Sequence, residues 1–315
     1  MKEIVISAND EGRRLDKYLL ALLCNCGSPF IYKMLRKKNI ILNDSKASGR
    51  ELLNAGDNIK LYFSDESYEK FTSRGVRQVA AGAVMPPIIY EDEDIMIVDK
   101  PSGMLSQRSS GDDISLNEIC LSYLYDKQEK TDRSEETFTP SICNRLDRNT
   151  SGLVTFAKTY RGARVLTQAF RVRSVHKYYE CIVKGRIDED IHLCGSIKKD
   201  EKTNKVTVSS DMNGDIIETK IHPLIPGDEL SRLEICLITG KTHQIRAHLA
   251  SIGHPILGDY KYGNKAVNDK YRKSFGIDSQ MLVCTRLEFP ADLDLPDIAG
   301  KIVCIKVPGI FEEVM

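Results

Sequence analysis

The chain opens with apolar positions at helical spacing. Over residues 13–23 (RRLDKYLLALL), apolar side chains recur every three or four positions, which predicts an amphipathic helix. Ser28-Pro29 is typical of an N-cap followed by proline in the first helical turn, and it predicts a second helix. That helix separates an apolar face from a basic face formed by Lys33, Arg36 and Lys37.

Turn residues and a short strand close this first unit. Asn43-Asp44 and Gly56-Asp57 are typical of turns, and the apolar run over 59–63 predicts a strand. The pattern therefore predicts a compact α/β domain over residues 1–64. Residues 65–87 mix charges, Ser, Gly, Ala and a Pro-Pro pair, and we predict a linker there.

The pattern over residues 88–315 predicts a second domain that contains both helices and strands. A charge-rich stretch over 125–139 predicts a surface loop. The predicted strands span 95–98, 179–183 and 232–238, and an amphipathic helix spans 161–173. Several strands with few intervening helices favour the α+β class with a mixed, largely antiparallel sheet.

Composition narrows the class of protein. The 315 residues are 41% hydrophobic and 29% charged, as is usual in globular proteins. No apolar run approaches the roughly 20 residues needed to span a bilayer, and the N-terminal MKEIVISANDEGRR lacks the apolar core of a signal peptide. We predict a cytoplasmic protein with no membrane partner. The nine cysteines include no C-x-x-C pair, so we expect small buried hydrophobes and not zinc ligands.

Basic residues concentrate in two blocks, although the formal net charge is zero. Residues 12–63 contain ten Lys or Arg against four acidic residues, and residues 144–186 contain ten against two. Two such blocks indicate two local surfaces for a polyanion. A basic helix face can equally be an ordinary solvated surface.

A single carboxylate lies between two arginines in the segment 144–152 (NRLDRNTSG). Arg145 and Arg148 flank Asp147, and nearby positive charge favours the ionised form of a carboxylate. An ionised aspartate can act as a nucleophile or stabilise a developing cation. An exposed turn with a surface ion pair has the same pattern. The segment alone leaves both interpretations open.

The histidines of the segment 239–249 (TGKTHQIRAHL) do not favour a metal site. His243 and His248 are five residues apart, which is about 140° around a helix, so they do not share one face. We therefore predict no metal. The Gly-Lys-Thr triplet lacks the upstream glycine of a phosphate loop, because Ile235 occupies that position. This argues against a nucleotide cofactor.

Aromatic residues follow a lysine in Lys177-Tyr178-Tyr179. Tyrosines beside basic residues suit stacking on an unpaired base. Core tyrosines with hydrogen-bonded hydroxyls would produce the same pattern.

Taken together, these motifs resemble the RluA-like family of pseudouridine synthases. The ordered matches are YEDED at 90–94, DKPSG at 99–103, RLDRNTSG at 145–152, KYY at 177–179, TGKTHQIRAHL at 239–249 and GHPILGD at 253–259. Residues 1–64 resemble the alpha-L RNA-binding domain. The resemblance implies a monomeric RNA-modifying isomerase that needs no cofactor and acts on ribosomal RNA of the large subunit. Transfer RNA is the alternative substrate.

The resemblance also implies roles for individual residues. Asp147 matches the catalytic aspartate, Arg246 matches its arginine partner, and Tyr179 matches the tyrosine that stacks on the base and helps to remove the proton from carbon 5. Leu282 is similar to the leucine that packs on the uracil, although Val283-Cys284 replaces the usual His-Ala. Asn144 replaces the usual histidine before Arg-Leu-Asp. The further residues expected to bind substrate are Lys100, Arg145, Arg148, Lys177, His243 and Gln244.

Two other functions fit parts of this pattern. A non-catalytic RNA-binding protein would keep the basic surfaces, but here all the matching catalytic positions are present. A glycoside hydrolase usually needs two flanking carboxylates. The Asp147 segment offers one, and Asp259 lies in a Gly-Asp setting typical of a structural turn.

Overall fold

The computed structural model describes residues 1–73, 83–108, 113–127, 137–200, 205–209, 211 and 214–315. Within these ranges no helix combines the length and apolar character that crossing a membrane requires.

The first unit, residues 1–73, packs three helices on a four-stranded antiparallel sheet in the order β1-β4-β2-β3. Its elements are β1 Lys2–Val5, α1 Leu15–Leu22, α2 Ser28–Arg36, β2 Ile40–Leu42, β3 Ser45–Lys46, β4 Asn58–Leu61 and α3 Asp65–Thr72. Both predicted helices are present, and their apolar faces form the core with the sheet. The N-cap of α2 is Gly27 and not Ser28 as predicted, and Pro29 lies in the first turn.

The stretch predicted as a linker begins with helix α3. Ser64 caps this helix by accepting the Ser67 N–H, and Tyr68 is buried in the core of the first unit. The ring of Phe71 lies 4.9 Å from that of Phe30. Helix α3 is therefore packed on the first unit, and the linker interpretation is wrong for residues 65–72. Most of the remaining linker stretch, residues 74–82, lies outside the described residues.

The second unit is built on a large mixed sheet. Its elements are β5 Ile88–Glu91, β6 Ile95–Lys100, α4 Leu116–Lys127, β7 Ser141–Ile142, β8 Ser151–Ala157, α5 Tyr160–Arg171, β9 His176–Lys184, β10 Ile191–Asp200, β11 Lys205–Ser209, β12 Asp215–Ile225, β13 Leu230–Leu237, α6 Gln244–Ser251, α7 Lys265–Phe275, β14 Leu282–Glu288, β15 Ile302–Cys304 and α8 Ile310–Val314. The strand order is β11-β10-β12-β13-β9-β14-β8-β6-β5, with β7 beside β8 and β15 beside β14. Among the described strand pairings only β8 with β14 is parallel, so the predicted α+β class with a largely antiparallel sheet is confirmed.

The predicted loop over 125–139 is partly helical. Helix α4 continues to Lys127, residues 137–140 have no regular structure, and 128–136 lie outside the described residues. The loop interpretation is therefore wrong for residues 125–127, where α4 continues and Tyr125 still packs on the main core.

A buried arginine joins the two units. Arg13 donates to Thr137 Oγ1 at 2.5 Å and to Asp10 Oδ1 at 2.6 Å. Its guanidinium also lies 4.7 Å from the ring centre of Tyr160 and 5.4 Å from that of Tyr18. These contacts hold the first unit against Thr137 and the start of α5, because separating them would leave a buried positive charge without its partners.

Candidate active site

Asp147 lies in the loop that connects β7 to β8, and backbone anchors hold this loop on both sides. Before it, Leu146 exchanges two hydrogen bonds with the hydroxyl of Ser106, at 2.8 and 3.1 Å. After it, the Thr150 N–H donates to the Asp147 carbonyl at 3.0 Å. The Lys100 ammonium donates to the Arg148 carbonyl at 3.0 Å. The carboxylate is therefore presented from a fixed loop.

Asn144, which replaces the usual family histidine, ties the same loop to β8. Its side-chain oxygen accepts the Thr155 N–H at 2.7 Å and the Thr155 hydroxyl at 2.9 Å. These bonds are internal to the protein, so Asn144 supports the loop, and it also lines the cavity that contains Asp147.

A close backbone approach brings the Asp147 loop beside β14. Gly152 has φ +110°, and a Cβ atom there would lie 2.3 Å from the Cys284 carbonyl oxygen. Only glycine permits both this backbone conformation and this contact. The resulting parallel pairing of β8 with β14 places Leu282 next to the loop.

Arg246 connects two carboxylates. Its Nη1 donates to Oδ2 of Asp147 at 2.9 Å, while its Nε and Nη2 donate to Asp259 at 2.7 and 2.9 Å. Asp259 is fully buried and Asp147 is about a quarter exposed. Burial opposes ionisation of Arg246, but the bonds to both aspartates outweigh it and raise the pKa of Arg246. Arg246 is thus a permanent cation aimed at Asp147.

His243 and Gln244, the residues at the start of α6, have different environments. His243 has a left-handed backbone, and its Nε2 lies 3.8 Å from Oδ2 of Asp147. The amide of Gln244 is buried and bonds to Thr239, Thr219 and the Glu218 carbonyl. His243 therefore faces the carboxylate, whereas Gln244 joins α6 to the sheet.

A cavity of about 530 Å³ lies over Asp147. Eight of the ten predicted site residues line it, namely Arg145, Asp147, Lys177, Tyr179, His243, Gln244, Arg246 and Leu282. Apolar contacts therefore share this space with a carboxylate and several cations. A cavity of this size can hold a nucleoside.

Tyr179 and Lys177 occupy partly apolar positions in this cavity. Tyr179 is buried on β9, and burial raises its pKa well above the usual value, so the phenol stays neutral. Burial also lowers the pKa of Lys177, whose Nζ lies 5.8 Å from the ring centre of Phe170.

Helix α5 and the turn after it add residues that sequence reasoning did not assign to the site. Thr167, Phe170, Arg171 and Arg173 line the same cavity, and both arginines are exposed. The sequence indicates the two arginines only through the basic block over 144–186. That block shows an excess of basic residues but not which of them lie at the cavity.

Lys100 and Arg148 are not among the residues that line this cavity. Lys100 is fully buried and donates to the carbonyls of Pro101, Met104 and Arg148 at 2.8 to 3.0 Å. Burial lowers the pKa of Lys100 to about 8. The donors of Lys100 are therefore occupied inside the protein, and its contact with substrate stays a prediction. Arg148 is exposed and donates to the Gly103 carbonyl at 3.1 Å.

One cluster of possible metal ligands lies elsewhere. His192, Cys194 and Glu218 have donor atoms within 4.8 Å of one another, the one such group in the part of the chain that the structure describes. Glu218 precedes Thr219, which contacts Gln244 below the cavity. Successive strand residues point to opposite faces, so this cluster lies on the far side of the sheet from Asp147. The expectation of a metal-free site stays a prediction.

Comparison with known proteins identifies the family. Residues 94–251, half of the chain, match the family described as RNA pseudouridylate synthase. The chain belongs to this family, as the motifs predicted. It is accordingly an isomerase that converts uridine in RNA to pseudouridine.

Relatives match almost end to end. The chain is 29% identical over 289 residues to ribosomal large subunit pseudouridine synthase C of Vibrio cholerae serotype O1, covering 91% of this chain and 88% of the relative. It is 29% identical over 322 aligned positions to the protein of the same name from Rickettsia bellii. The alignment covers 99% of this chain and 100% of the relative.

Solved structures share the fold. Human RNA pseudouridylate synthase domain containing 4 superposes with a TM-score of 0.55 at 21% identity, covering 71% of this chain and 90% of that one. Human RNA pseudouridylate synthase domain containing 1 gives 0.54 at 23% identity, covering 71% and 85%.

Proposed function

We propose that this enzyme modifies specific uridines of large-subunit ribosomal RNA, with Asp147 as its nucleophile. The observation that carries the assignment of Asp147 is the 2.9 Å pairing with Arg246 at the wall of the cavity. The proposed substrate draws support from the relatives named for the ribosomal large subunit, which match over nearly the whole chain.

The proposed reaction is balanced within the nucleoside. The bond between N1 of uracil and C1′ of ribose breaks, the detached base turns within the cavity, and C5 bonds to C1′. The proton on C5 leaves and N1 gains one. Because the product has the same composition as the substrate, no oxidant, reductant or group donor is consumed.

Charge and geometry support Asp147 in this role. Arg246 and His243 both approach Oδ2, and Arg246 is fixed from behind by Asp259. A carboxylate held in one orientation needs little reorganisation when it meets the sugar or the base. We assign Oδ1 as the oxygen that reacts, since the two protein donors approach the other one.

Tyr179 and Leu282 are proposed to bind the base between them. An aromatic ring and an aliphatic side chain suit the two faces of uracil, and the neutral phenol of Tyr179 avoids placing a second negative charge beside Asp147. If Tyr179 takes the proton from C5, it must release its own proton in the same step.

The cations at the cavity are proposed to hold the RNA backbone. Arg145, Arg171 and Arg173 are exposed at the cavity, where they can bind phosphates on either side of an everted uridine. Moving a base out of its stack costs a few kcal/mol, which phosphate and aromatic contacts can offset. We assign Lys177 to this group, and Lys100 and Gln244 to positioning of the Asp147 loop and α6.

Pseudouridine mapping tests both parts of the proposal. Ribosomal and transfer RNA would be compared from cells that lack the protein, and from the same cells supplied with the wild-type chain, Asp147→Asn or the control Asp278→Asn, an exposed aspartate. We expect a large-subunit pseudouridine that returns with the wild type and the control but not with Asp147→Asn. Return of the modification with Asp147→Asn would refute the nucleophile, and a site confined to transfer RNA would refute the substrate.

A further inference from the structure

The hydroxyl of Tyr262 lies between the edge strand of the sheet and the cavity. It accepts the Val206 N–H of β11 at 2.9 Å, and it lies 2.9 Å from Nδ1 of His243. His243 in turn places Nε2 3.8 Å from Oδ2 of Asp147. Hydrogen bonds therefore connect β11 to His243 through Tyr262, and the imidazole faces the carboxylate across 3.8 Å.

The donors and acceptors available to Tyr262 indicate the direction of its hydrogen bond with His243. A backbone N–H can only donate, so Val206 occupies a lone pair of the Tyr262 oxygen. The phenol proton is then available for Nδ1 of His243, and we infer that Nδ1 accepts it in the 2.9 Å bond. A neutral imidazole that accepts at Nδ1 carries its proton on Nε2.

The carboxylate end selects the same tautomer. A protonated Nε2 presents a donor to the Asp147 carboxylate. An unprotonated Nε2 would instead direct its lone pair at the negative charge. Burial lowers the pKa of His243, an effect that Arg246 and Lys261 strengthen and that Asp147 and Asp259 oppose. The imidazole thus stays neutral, and both of its neighbours favour the Nε2–H form.

Tyr262 is itself fixed to the arginine pair. Its N–H donates to Oδ1 of Asp259 at 3.1 Å, and the Arg246 guanidinium lies 5.2 Å from its ring centre. Val206 packs with Ala247 of α6 in a small apolar cluster. The phenol oxygen therefore has a defined position relative to α6, β11 and Asp259.

We propose that Tyr262 is a positioning residue, which ties β11 to His243 and holds His243 as the Nε2–H tautomer, a second donor aimed at Asp147. This inference rests on the proposed role of Asp147 as nucleophile. It connects β11, an edge strand, to the proposed catalytic carboxylate through Tyr262 and His243.

The imidazole spectrum of the wild-type chain tests the tautomer directly. With ¹⁵N-labelled histidine, the six histidines give resolvable ring nitrogens, and His243→Asn assigns the signals of residue 243. We expect a protonated Nε2 and an unprotonated Nδ1 near neutral pH. A proton on Nδ1 would overturn the inference without any activity assay.

Tyr262→Phe tests the functional part, with Tyr260→Phe as the matched control. Tyr260 lies two residues earlier and bonds to Asp269 on the surface, while the substitution at position 262 removes only the hydroxyl and keeps the ring beside Arg246. We expect kcat to fall about tenfold, an effect of the size usual for an outer-shell hydrogen bond, with KM nearly unchanged and a mixed tautomer at His243. The control should retain wild-type values.

Two outcomes separate this inference from the proposed function. Wild-type kcat and an unchanged Nε2–H signal in Tyr262→Phe would refute the role of Tyr262 while leaving Asp147 intact. Turnover in Asp147→Asn would refute the nucleophile, and the wild-type spectrum would still decide the tautomer.

Discussion

Arg246 and Asp147 are 99 residues apart in the chain, yet their side chains meet at 2.9 Å. The arginine reaches this position because Asp259 holds the other edge of its guanidinium. A planar guanidinium with five donors can serve both carboxylates at once, which lysine could not do with the same geometry. The pair is therefore part of a triad in which only one carboxylate faces the cavity.

Asp259→Asn should disrupt the site from behind. The substitution leaves a buried guanidinium without its main counter-charge, and breaking a buried pair costs about 3 kcal/mol or more. We expect that loss in the unfolding free energy from urea titration, together with at least about tenfold lower kcat as Arg246 loses its orientation. Asp278→Asn is the exposed control. Normal stability and turnover in Asp259→Asn would show that the paired hydrogen bonds between Arg246 and Asp259 are dispensable.

Lys100→Met should damage the loop on which Asp147 lies. Methionine fills a similar volume but leaves three carbonyl oxygens without their donor. We expect a loss of about 2 kcal/mol in unfolding free energy, since these acceptors are partly buried and each costs up to about 1 kcal/mol when it is left unsatisfied. Lys265→Met, at an exposed position of α7, controls for loss of charge. Equal stability of the two variants would contradict this role.

Gly152→Ala should be far more damaging than alanine at another glycine with a positive φ. Gly253 also has a positive φ, +86°, but no atom lies within 4 Å of the position that a methyl group would take there. Gly253→Ala should cost about 1 kcal/mol of backbone strain. Gly152→Ala adds a clash with Cys284 and should cost about 3 kcal/mol or prevent folding. Thermal and urea unfolding of both variants measure the difference, and similar losses would refute the close approach.

Stability should fall on acidification because of His248. This side chain is buried beside Thr219, and burial lowers its pKa from 6.5 to about 4. In the unfolded chain this side chain binds a proton below pH 6.5, whereas in the folded chain it binds one only below about pH 4. The stabilisation is therefore present above pH 6.5 and is lost as the pH falls from 6.5 towards 4. Between pH 7 and 5 the loss should be about 2 kcal/mol.

Urea titrations at both pH values measure this effect. His248→Asn should flatten the dependence by about that amount, whereas His222→Asn, at an exposed imidazole, should not. Identical pH dependence in wild type and His248→Asn would exclude His248 as the cause.

The basic face of α2 should contribute to RNA binding. Lys33, Arg36 and Lys37 are all exposed, and each phosphate contact adds about 0.7 to 0.9 to the slope of log affinity against log salt. Their joint replacement by alanine should reduce that slope by about 2. The control removes Lys265, Lys270 and Lys273 from α7, and its slope should stay that of the wild type. Equal slopes for the two triple variants would reject the role of α2.

Periodicity predicted the elements whose burial is regular. Helices α1 and α2 have apolar residues at helical spacing, and strand β6 is a short continuous apolar run that is buried on both faces, so local pattern and packing agree. Helix α3 was not predicted because half of its residues (DESYEKFT) are charged, and its apolar contacts with the first unit come from Tyr68 and Phe71. The Ser64 cap was a local signal that could have indicated its start.

Site residues could be predicted where they lie within a recognisable motif. They could not be predicted where only the folded chain brings them to the site. Asp147, Tyr179 and Arg246 were found through motifs, but nothing local places Tyr262 beside β11 or Arg173 at the cavity. The burial of Lys100 could not be predicted from the sequence, because lysine is almost always exposed. Its three acceptors come from turns whose meeting depends on the whole sheet.

The position of β14 has a consequence for synthesis of the protein. This strand lies between β8 and β9 in the sheet, yet it is made long after both of them. Until residue 288 has left the ribosome, the strands next to Asp147 and Tyr179 have no shared neighbour and no finished cavity between them. A nascent chain therefore acquires its basic N-terminal unit first and its catalytic competence only near the end of translation.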